Sequence, residues 1–473
     1  MAVSPASALL LLTVRRSNPK TQPASAWPDL AESQPLNRTT VSPKPFDSMT
    51  HELPRRQFLK ATGAGVAALP FVGLVSPLAG KPMAGPLRVG LVGCGGRGTG
   101  AAMQALNADK EVILWSVGDL FADRLESSLS GLKENFGERV QIPEERRFVG
   151  FDAYQKVIEQ VDVILFATPP AFRPMHLAAA IEADLHVFCE KPIAVDAHGV
   201  RSVLATAKLA QQKGLSLASG FCWRAANGHR AIYNKVHQGG IGDVRHVYGT
   251  YLGGGLWYKK RQDDWTDMEY QLRNWLYYSA LSGDHIAEQA VHSVDKIMWA
   301  KNDVPPVSAT AIGGRQVRTE EKWGNVYDHF GVMYEWADGS MGHLQCRQQN
   351  GAHSENLDRI VGANGTAFVD GWAGKFTIVG EKPWQYEGPG NNMYQTEHDE
   401  LFASIRSGGA MNQGQDMAHS TLAALMGRMS AYTGQKISWE QALNSEERLT
   451  PDKWEFGPGL PAPISQPGVT KFI

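Results

Sequence analysis

From Leu87 onward, short apolar runs alternate with small-residue or amphipathic stretches. Leu87-Arg88-Val89-Gly90-Leu91-Val92, bounded by Pro86 and Gly93, reads as a buried strand. Val112–Val117, Val161–Ala167, Leu185–Cys189 and Leu215–Gly220 repeat the pattern. Between them, helices are expected from Gly98 to about Ala108, around His176 to Ala183, and over 195–213. Such strand–helix alternation predicts a doubly wound parallel sheet. After Phe221 the rhythm changes. Val244–Leu252, Val307–Gly313, Val326–Glu335, Met341–Gln348, Asn356–Val361 and Thr366–Asp370 read as strands of a large, mostly antiparallel sheet. Helices follow from Glu397-His398 to Gly408 and over Ala418–Thr433, and the Pro-rich stretch Pro451–Ile473 reads as an extended arm. The expected fold is α/β: a parallel-sheet domain over 86–220, an α+β domain over 221–445 and a tail over 446–473, preceded by a leader over 1–85.

Composition narrows what such a chain can do. Of 473 residues, 43% are hydrophobic and 20% charged, a balance that supports two folded cores. Lysine and arginine total 46 against 48 acids, so no net positive field favours nucleic acid or an anionic membrane. Cys94, Cys189, Cys222 and Cys346 lie far apart, and neither a disulfide framework nor a metal site is expected. The leader carries its own signal. Arg55-Arg56-Gln57-Phe58-Leu59-Lys60 precedes a mildly apolar, Gly/Ala-rich run to Gly80, which resembles a twin-arginine export signal. Met49 is then the expected initiator, and the exported, periplasmic protein keeps no stable membrane span. An uncleaved anchor is the alternative.

The strongest chemical pattern is Gly93-Cys94-Gly95-Gly96-Arg97-Gly98, a GxGxxG sequence with a strand before it and a helix after it. Gly93 suits the tight turn, Gly95 the approach of a pyrophosphate and Gly98 close helix packing, with phosphates on the helix N-terminus. Gly96 and Arg97 complete the loop. Asp119, about twenty residues on, stands where a carboxylate binds the ribose and favours NAD, while Arg124 could accept the extra phosphate of NADP. Ligands of such sheets sit beyond the carboxyl ends of the strands, where Thr168 and Lys191 are expected.

Taken in order, Gly93–Gly98, Thr168-Pro169-Pro170 with His176, Glu190-Lys191-Pro192 and the segment from Gly283 to Asp295 resemble the Gfo/Idh/MocA oxidoreductases over roughly 86–440. The resemblance implies an NAD(P)-dependent enzyme acting on a sugar, polyol or glycoside hydroxyl, with Thr168, Pro169, His176 and Glu190 near the cofactor. Lys191 would reach the nicotinamide ribose and the substrate hydroxyl. Many relatives carry Asp where this chain has Glu288, which changes that acid's reach by one methylene. His285, Glu288 and His292 fall at i, i+3 and i+7, one face of a single expected helix, with Asp284 beside them. Histidine suits proton removal at neutral pH, so His292 is expected as general base, Lys191 as proton relay and Glu288 as the group fixing the histidine.

Arg224, Trp275, Asp284 and His285 are the expected substrate contacts. Trp275 is chosen from the aromatic-rich segment 255–278, whose rings and polar groups suit the CH faces and hydroxyls of a sugar. The resemblance also implies that the antiparallel sheet is the surface for homo-oligomer formation. Export adds a constraint, because an exported enzyme must keep and recycle its cofactor. The net reaction would then be hydride-neutral: either paired oxidation and reduction of two substrates, or oxidation, elimination and reduction of one glycoside. A non-catalytic dinucleotide- or sugar-binding scaffold is the alternative of another class.

Overall fold

The computed structural model describes residues 80–473. The Arg55-Arg56 motif, the apolar run after it and Met49 lie outside the described residues.

Six parallel strands form the first sheet: β1 Leu87–Val92, β2 Val112–Asp119, β3 Arg147–Val149, β4 Val163–Phe166, β5 His186–Cys189 and β6 Leu217–Ser219. Their spatial order is β3-β2-β1-β4-β5-β6. The order reverses between β1 and β4, which opens a crevice at their carboxyl ends. The seven hydrophobic residues of β4 and β5 lie between the two helix layers and are fully buried, which explains runs without alternation. Helices α1 Gly96–Ala108, α2 Ala122–Phe136, α3 Ala153–Ile158, α4 Arg173–Glu182 and α5 Ala197–Lys213 cover the sheet, and α6 Asn227–His237 leads out of it.

The second sheet has nine strands: β7 Val244–Gly253, β8 Ser308–Gly314, β9 His329–Glu335, β10 Met341–Gln348, β11 Asp358–Gly362, β12 Gly365–Asp370, β13 Lys375–Gly380, β14 Trp384–Gln385 and β15 Ile437–Ser438. The order is β14-β13-β12-β11-β7-β10-β9-β8-β15, and only β7 with β10 is parallel. Between β7 and β8 lie α7 Asp267–Arg273, α8 Ser279–Ser282, α9 His285–Glu288 and α10 Val291–Ala300; α11 Met393–Ser407 and α12 Gly414–Thr433 follow β14. Strand alternation is clear in β9 and β10, whose inward side chains meet α10 and α12. The outward face leaves Ile312 at 78% and Val379 at 60% exposure, beside the exposed Val361 and Phe368.

The second half also completes the first sheet. Leu401, Phe402 and Ile405 of α11 share one core with Leu87, Val89 and Leu91 of β1. Leu217 N–H of β6 donates to the Met411 carbonyl at 2.7 Å, and the Gln413 side chain accepts from Ser219 N–H at 2.8 Å. Among the described residues no helix is long and apolar enough to cross a membrane.

Candidate active site

The Gly-rich turn is built as its sequence requires. Gly93 has φ +95°, and a Cβ there would lie 2.6 Å from the backbone carbon of Ala167. A Cβ on Gly98 would come within 1.8 Å of the Gly93 carbonyl oxygen, so α1 packs on the turn only because the side chain is absent. Gly98→Ala is expected to cost about 1–3 kcal/mol through overpacking and to displace the turn. Thermal unfolding together with NADH titration checks this.

The first turn of α1 has no acidic side chain, and Gly95 at its N-cap supplies no side-chain bond. Its backbone N–H groups therefore face the cleft without a side-chain acceptor, the arrangement that suits a pyrophosphate. Asp119 ends β2 with one oxygen accepting from Cys94 N–H at 2.6 Å and the other from Phe121 N–H at 2.8 Å. Burial raises its pKa, opposed by those amides and by Arg124. An open cleft runs along these groups, lined by Gly93, Gly95, Asp119, Arg124, Thr168, Pro169 and His176. Phe121, Phe151, Phe172, Leu272 and Trp275 supply its apolar walls. An open cradle for phosphate, a carboxylate at the ribose position and an apolar slot fit a dinucleotide.

The expected cofactor contacts are held by neighbours of their own. His176 stacks on Tyr154 with ring centroids 4.2 Å apart, lies 3.3 Å from the Thr168 hydroxyl, and burial pushes its pKa down to about 3. Arg97 and Glu190 pair with each other at 3.0 Å, the carboxylate nearly sequestered from water. Trp275 lines the same cleft, because α7 folds back onto the first domain.

Lys191, Glu288 and His292 converge. Residues 285–295 do not form the single helix expected: α9 ends at Glu288 and α10 starts at Val291. At the joint, Ala290 N–H donates to the His285 carbonyl and His292 N–H to the Gln289 carbonyl, at 3.0 and 3.2 Å. The Glu288 carbonyl is thereby released from helix bonding, and Lys191 Nζ donates to it at 2.6 Å. The same ammonium lies 3.6 Å from Glu288 Oε1. His292 packs edge-on to Phe221 at 6.0 Å, and its Nδ1 is buried without a partner. Burial first, then the positive charges of Lys191 and Lys296, hold His292 well below the usual histidine pKa. It is neutral at pH 7 and free to accept a proton.

Asp284, expected as a substrate contact, is instead fully buried. It accepts from Tyr327 N–H at 2.8 Å and the Tyr432 hydroxyl at 2.6 Å. Its φ of +72° with ψ 164° falls in a region that suits glycine, and these bonds hold it there as the N-cap of α9. His285 is buried beside it, with Nδ1 at 3.2 Å from both Asp284 Oδ1 and the Tyr327 carbonyl, and Nε2 without a partner.

The expected substrate role of Arg224 also fails, because its guanidinium is spent on Asp295 and Asp303. Asp295 is almost wholly buried and otherwise has the Ser420 hydroxyl at 2.7 Å. Arg224→Ala is expected to destabilise the fold by about 3–5 kcal/mol by stranding that carboxylate. Urea unfolding measures it, and a change below 1 kcal/mol would contradict the account. Among the described residues no group of three His, Cys, Asp or Glu side chains is arranged to hold a metal ion.

Some neighbours of this cluster had no sequence signal of their own. Tyr251 of β7 has its hydroxyl pKa pushed up to about 12, by burial first and then by Glu288 and Cys222. Glu397 is buried with neither oxygen partnered, and burial and Glu190 raise its pKa.

Comparison with known proteins agrees with this geometry. The model for the oxidoreductase family's NAD-binding Rossmann fold matches residues 87–220, and that for the GFO/IDH/MocA C-terminal domain matches 229–368. The chain belongs to the Gfo/Idh/MocA oxidoreductase family. A glycosyl hydrolase family 109 protein of Shewanella amazonensis is 27% identical over 228 residues, 44% of this chain and 48% of that protein. Inositol 2-dehydrogenase 3 of Saccharopolyspora erythraea is 27% identical over 255 residues, 54% of this chain and 64% of that protein. The chain spans about half the length of the first curated relatives it matches. Aldose-aldose oxidoreductase of Caulobacter crescentus, solved with glycerol, shares the fold at TM-score 0.60 and 19% identity, covering 75% of this chain and 99% of that one.

Proposed function

We propose that the protein is an NAD(P)-dependent oxidoreductase acting on a hydroxyl of a sugar, polyol or glycoside. The observation that carries this reading is the convergence of Lys191, Glu288 and the neutral His292 at the carboxyl edge of a sheet whose neighbouring cleft fits a dinucleotide. In this reading His292 takes the hydroxyl proton, Lys191 donates a hydrogen bond to the same oxygen, and Glu288 holds the lysine in place through both its carboxylate and its carbonyl. The nicotinamide, when bound, supplies the hydride acceptor. Asp119 at the ribose position favours NAD over NADP.

Native mass spectrometry of the purified protein, looking for retained NAD(P)(H), followed by nicotinamide absorbance with a panel of aldoses, inositols and glycosides, tests the proposal. Absence of both bound dinucleotide and dinucleotide affinity would favour a scaffold. The family 109 relative supports a second reading, a redox-neutral glycosidase. Release of nitrophenol from nitrophenyl glycosides without net NADH formation would select it.

Two further proposals concern the whole protein. The Arg55-Arg56 sequence supports export in the folded, cofactor-loaded state, which N-terminal sequencing of the exported form tests. The exposed Ile312, Val361, Phe368 and Val379 on one sheet face support self-association there, which light scattering on the purified protein tests.

A further inference from the structure

The tail takes a course that neither its composition nor the catalytic reading explains. Past α12 and β15, Leu449 N–H donates to Asp196 Oδ2 at 2.9 Å, and the chain then crosses to the nucleotide cleft. The Trp454 ring lies 4.3 Å from Phe172 and stacks at 6.5 Å on Phe151. Phe456 lies 5.0 Å from Phe151 and 6.2 Å from Phe121. Phe121, Phe151 and Phe172 are the apolar wall that the first domain gives to the cleft.

A few residues on, the same segment is tied to the opposite wall. Met268 N–H donates to the Gly457 carbonyl at 3.0 Å, and Gln271 and Leu460 exchange two hydrogen bonds at 2.7 and 3.0 Å. These partners belong to α7, which supplies Leu272 to the cleft and leads into Trp275. Arg273 of α7 adds a second tie, its guanidinium 3.9 Å from the Phe121 ring centre and 3.3 Å from Asp123.

We propose that residues 454–460 form a strap that fastens the two walls of the nucleotide cleft and sets how long a bound dinucleotide stays. Trp454 and Phe456 act as positioning residues for the wall of Phe121, Phe151 and Phe172. Opening the cleft wide enough to release a dinucleotide requires α7 and the first-domain loops to separate. The strap opposes that movement with aromatic contacts on one side and backbone bonds on the other. Phe456 remains 44% exposed although it touches two cleft-lining rings, so it is held by the wall rather than by a core. A slowly leaving dinucleotide is what turnover on a recycled cofactor needs. The proposal rests on the reading that this cleft holds the dinucleotide.

Stopped-flow fluorescence of NADH and NADPH release from the full chain tests it, with Trp454→Ser, Phe456→Ser and the conservative Trp454→Phe compared with the unaltered protein. Loss of one aromatic contact corresponds to release about tenfold faster, with Trp454→Phe restoring most of the residence time. Phe456→Ser removes an exposed ring, so it reports on the strap even where Trp454→Ser weakens folding. Release at the unaltered rate in both serine variants, with thermal unfolding unchanged, overturns the strap. An unaltered protein that binds neither dinucleotide overturns the cleft reading instead, so the two failures are distinct.

Discussion

Replacing His292 with alanine is expected to slow single-turnover substrate oxidation by about 10²–10⁴-fold, the usual contribution of a positioned general base. Its surroundings leave it one protonation state. Burial and the charges of Lys191 and Lys296 disfavour the imidazolium, and the buried Nδ1 has no protein partner. The proton acceptor is therefore present at pH 7 and persists below the pH at which an exposed histidine charges. The rate should stay level as pH falls through 6.5 and drop only further down. His292→Gln preserves a polar side chain without a proton acceptor of this strength and should be nearly as slow as alanine. NADH titration of each variant separates lost chemistry from lost binding. Rates within threefold of the unaltered protein would remove His292 from the mechanism.

Acid should unfold this protein earlier than carboxylate titration alone would. His176, buried against Tyr154, and His398, buried against Phe188, both have pKa pushed down to about 3, by burial before any other cause. In the unfolded chain each titrates near 6.5. Between those values the unfolded state binds more protons, so stability falls as pH falls, and below about 3 the effect saturates. Each histidine contributes about 1.4 kcal/mol per pH unit, so the pair removes about 3 kcal/mol for each unit below 6.5. His229 and His292 shift in the same direction and steepen the loss. Urea midpoints at pH 7.5, 6.5, 5.5 and 5.0 check this. His176→Phe should lessen the slope by one histidine's share, and a midpoint level down to pH 5 would sink the account.

Much of the architecture is legible in the apolar runs. β1, β2, β4, β5 and β6 appear where the runs do, with ends shifted by the loops that start beyond the sheet. The short strands β3, β14 and β15 escape notice because two or three residues carry no period of their own; neighbouring strands hold them. Lys191, Glu288 and His292 are named by the resemblance to the Gfo/Idh/MocA family, and the fold brings Lys191 within 3.6 Å of Glu288. Spacing alone could not see that the helix breaks at Gln289 and Ala290, since the break depends on backbone bonds and on a lysine ninety-seven positions earlier that takes the freed carbonyl. Arg224 is expected as a ligand contact from a position shared with the family, and Asp284 from its place beside His285. Their direction is set by Asp295, Asp303, Tyr327 and Tyr432, which sequence proximity does not reveal. The aromatic-rich segment 255–278 suggests Trp275 as a sugar contact, and only the fold shows that it lines the nucleotide cleft.

The contribution of α11 and residues 411–413 to the first sheet bears on how the chain is made. Every nucleotide-binding motif has left the ribosome by Lys191, yet Leu87, Val89 and Leu91 meet Leu401, Phe402 and Ile405 only some two hundred residues later. During that interval the nascent chain carries an uncovered apolar face on its first sheet, an invitation to chaperones. The first sheet is therefore complete only once residues 401–413 have been made.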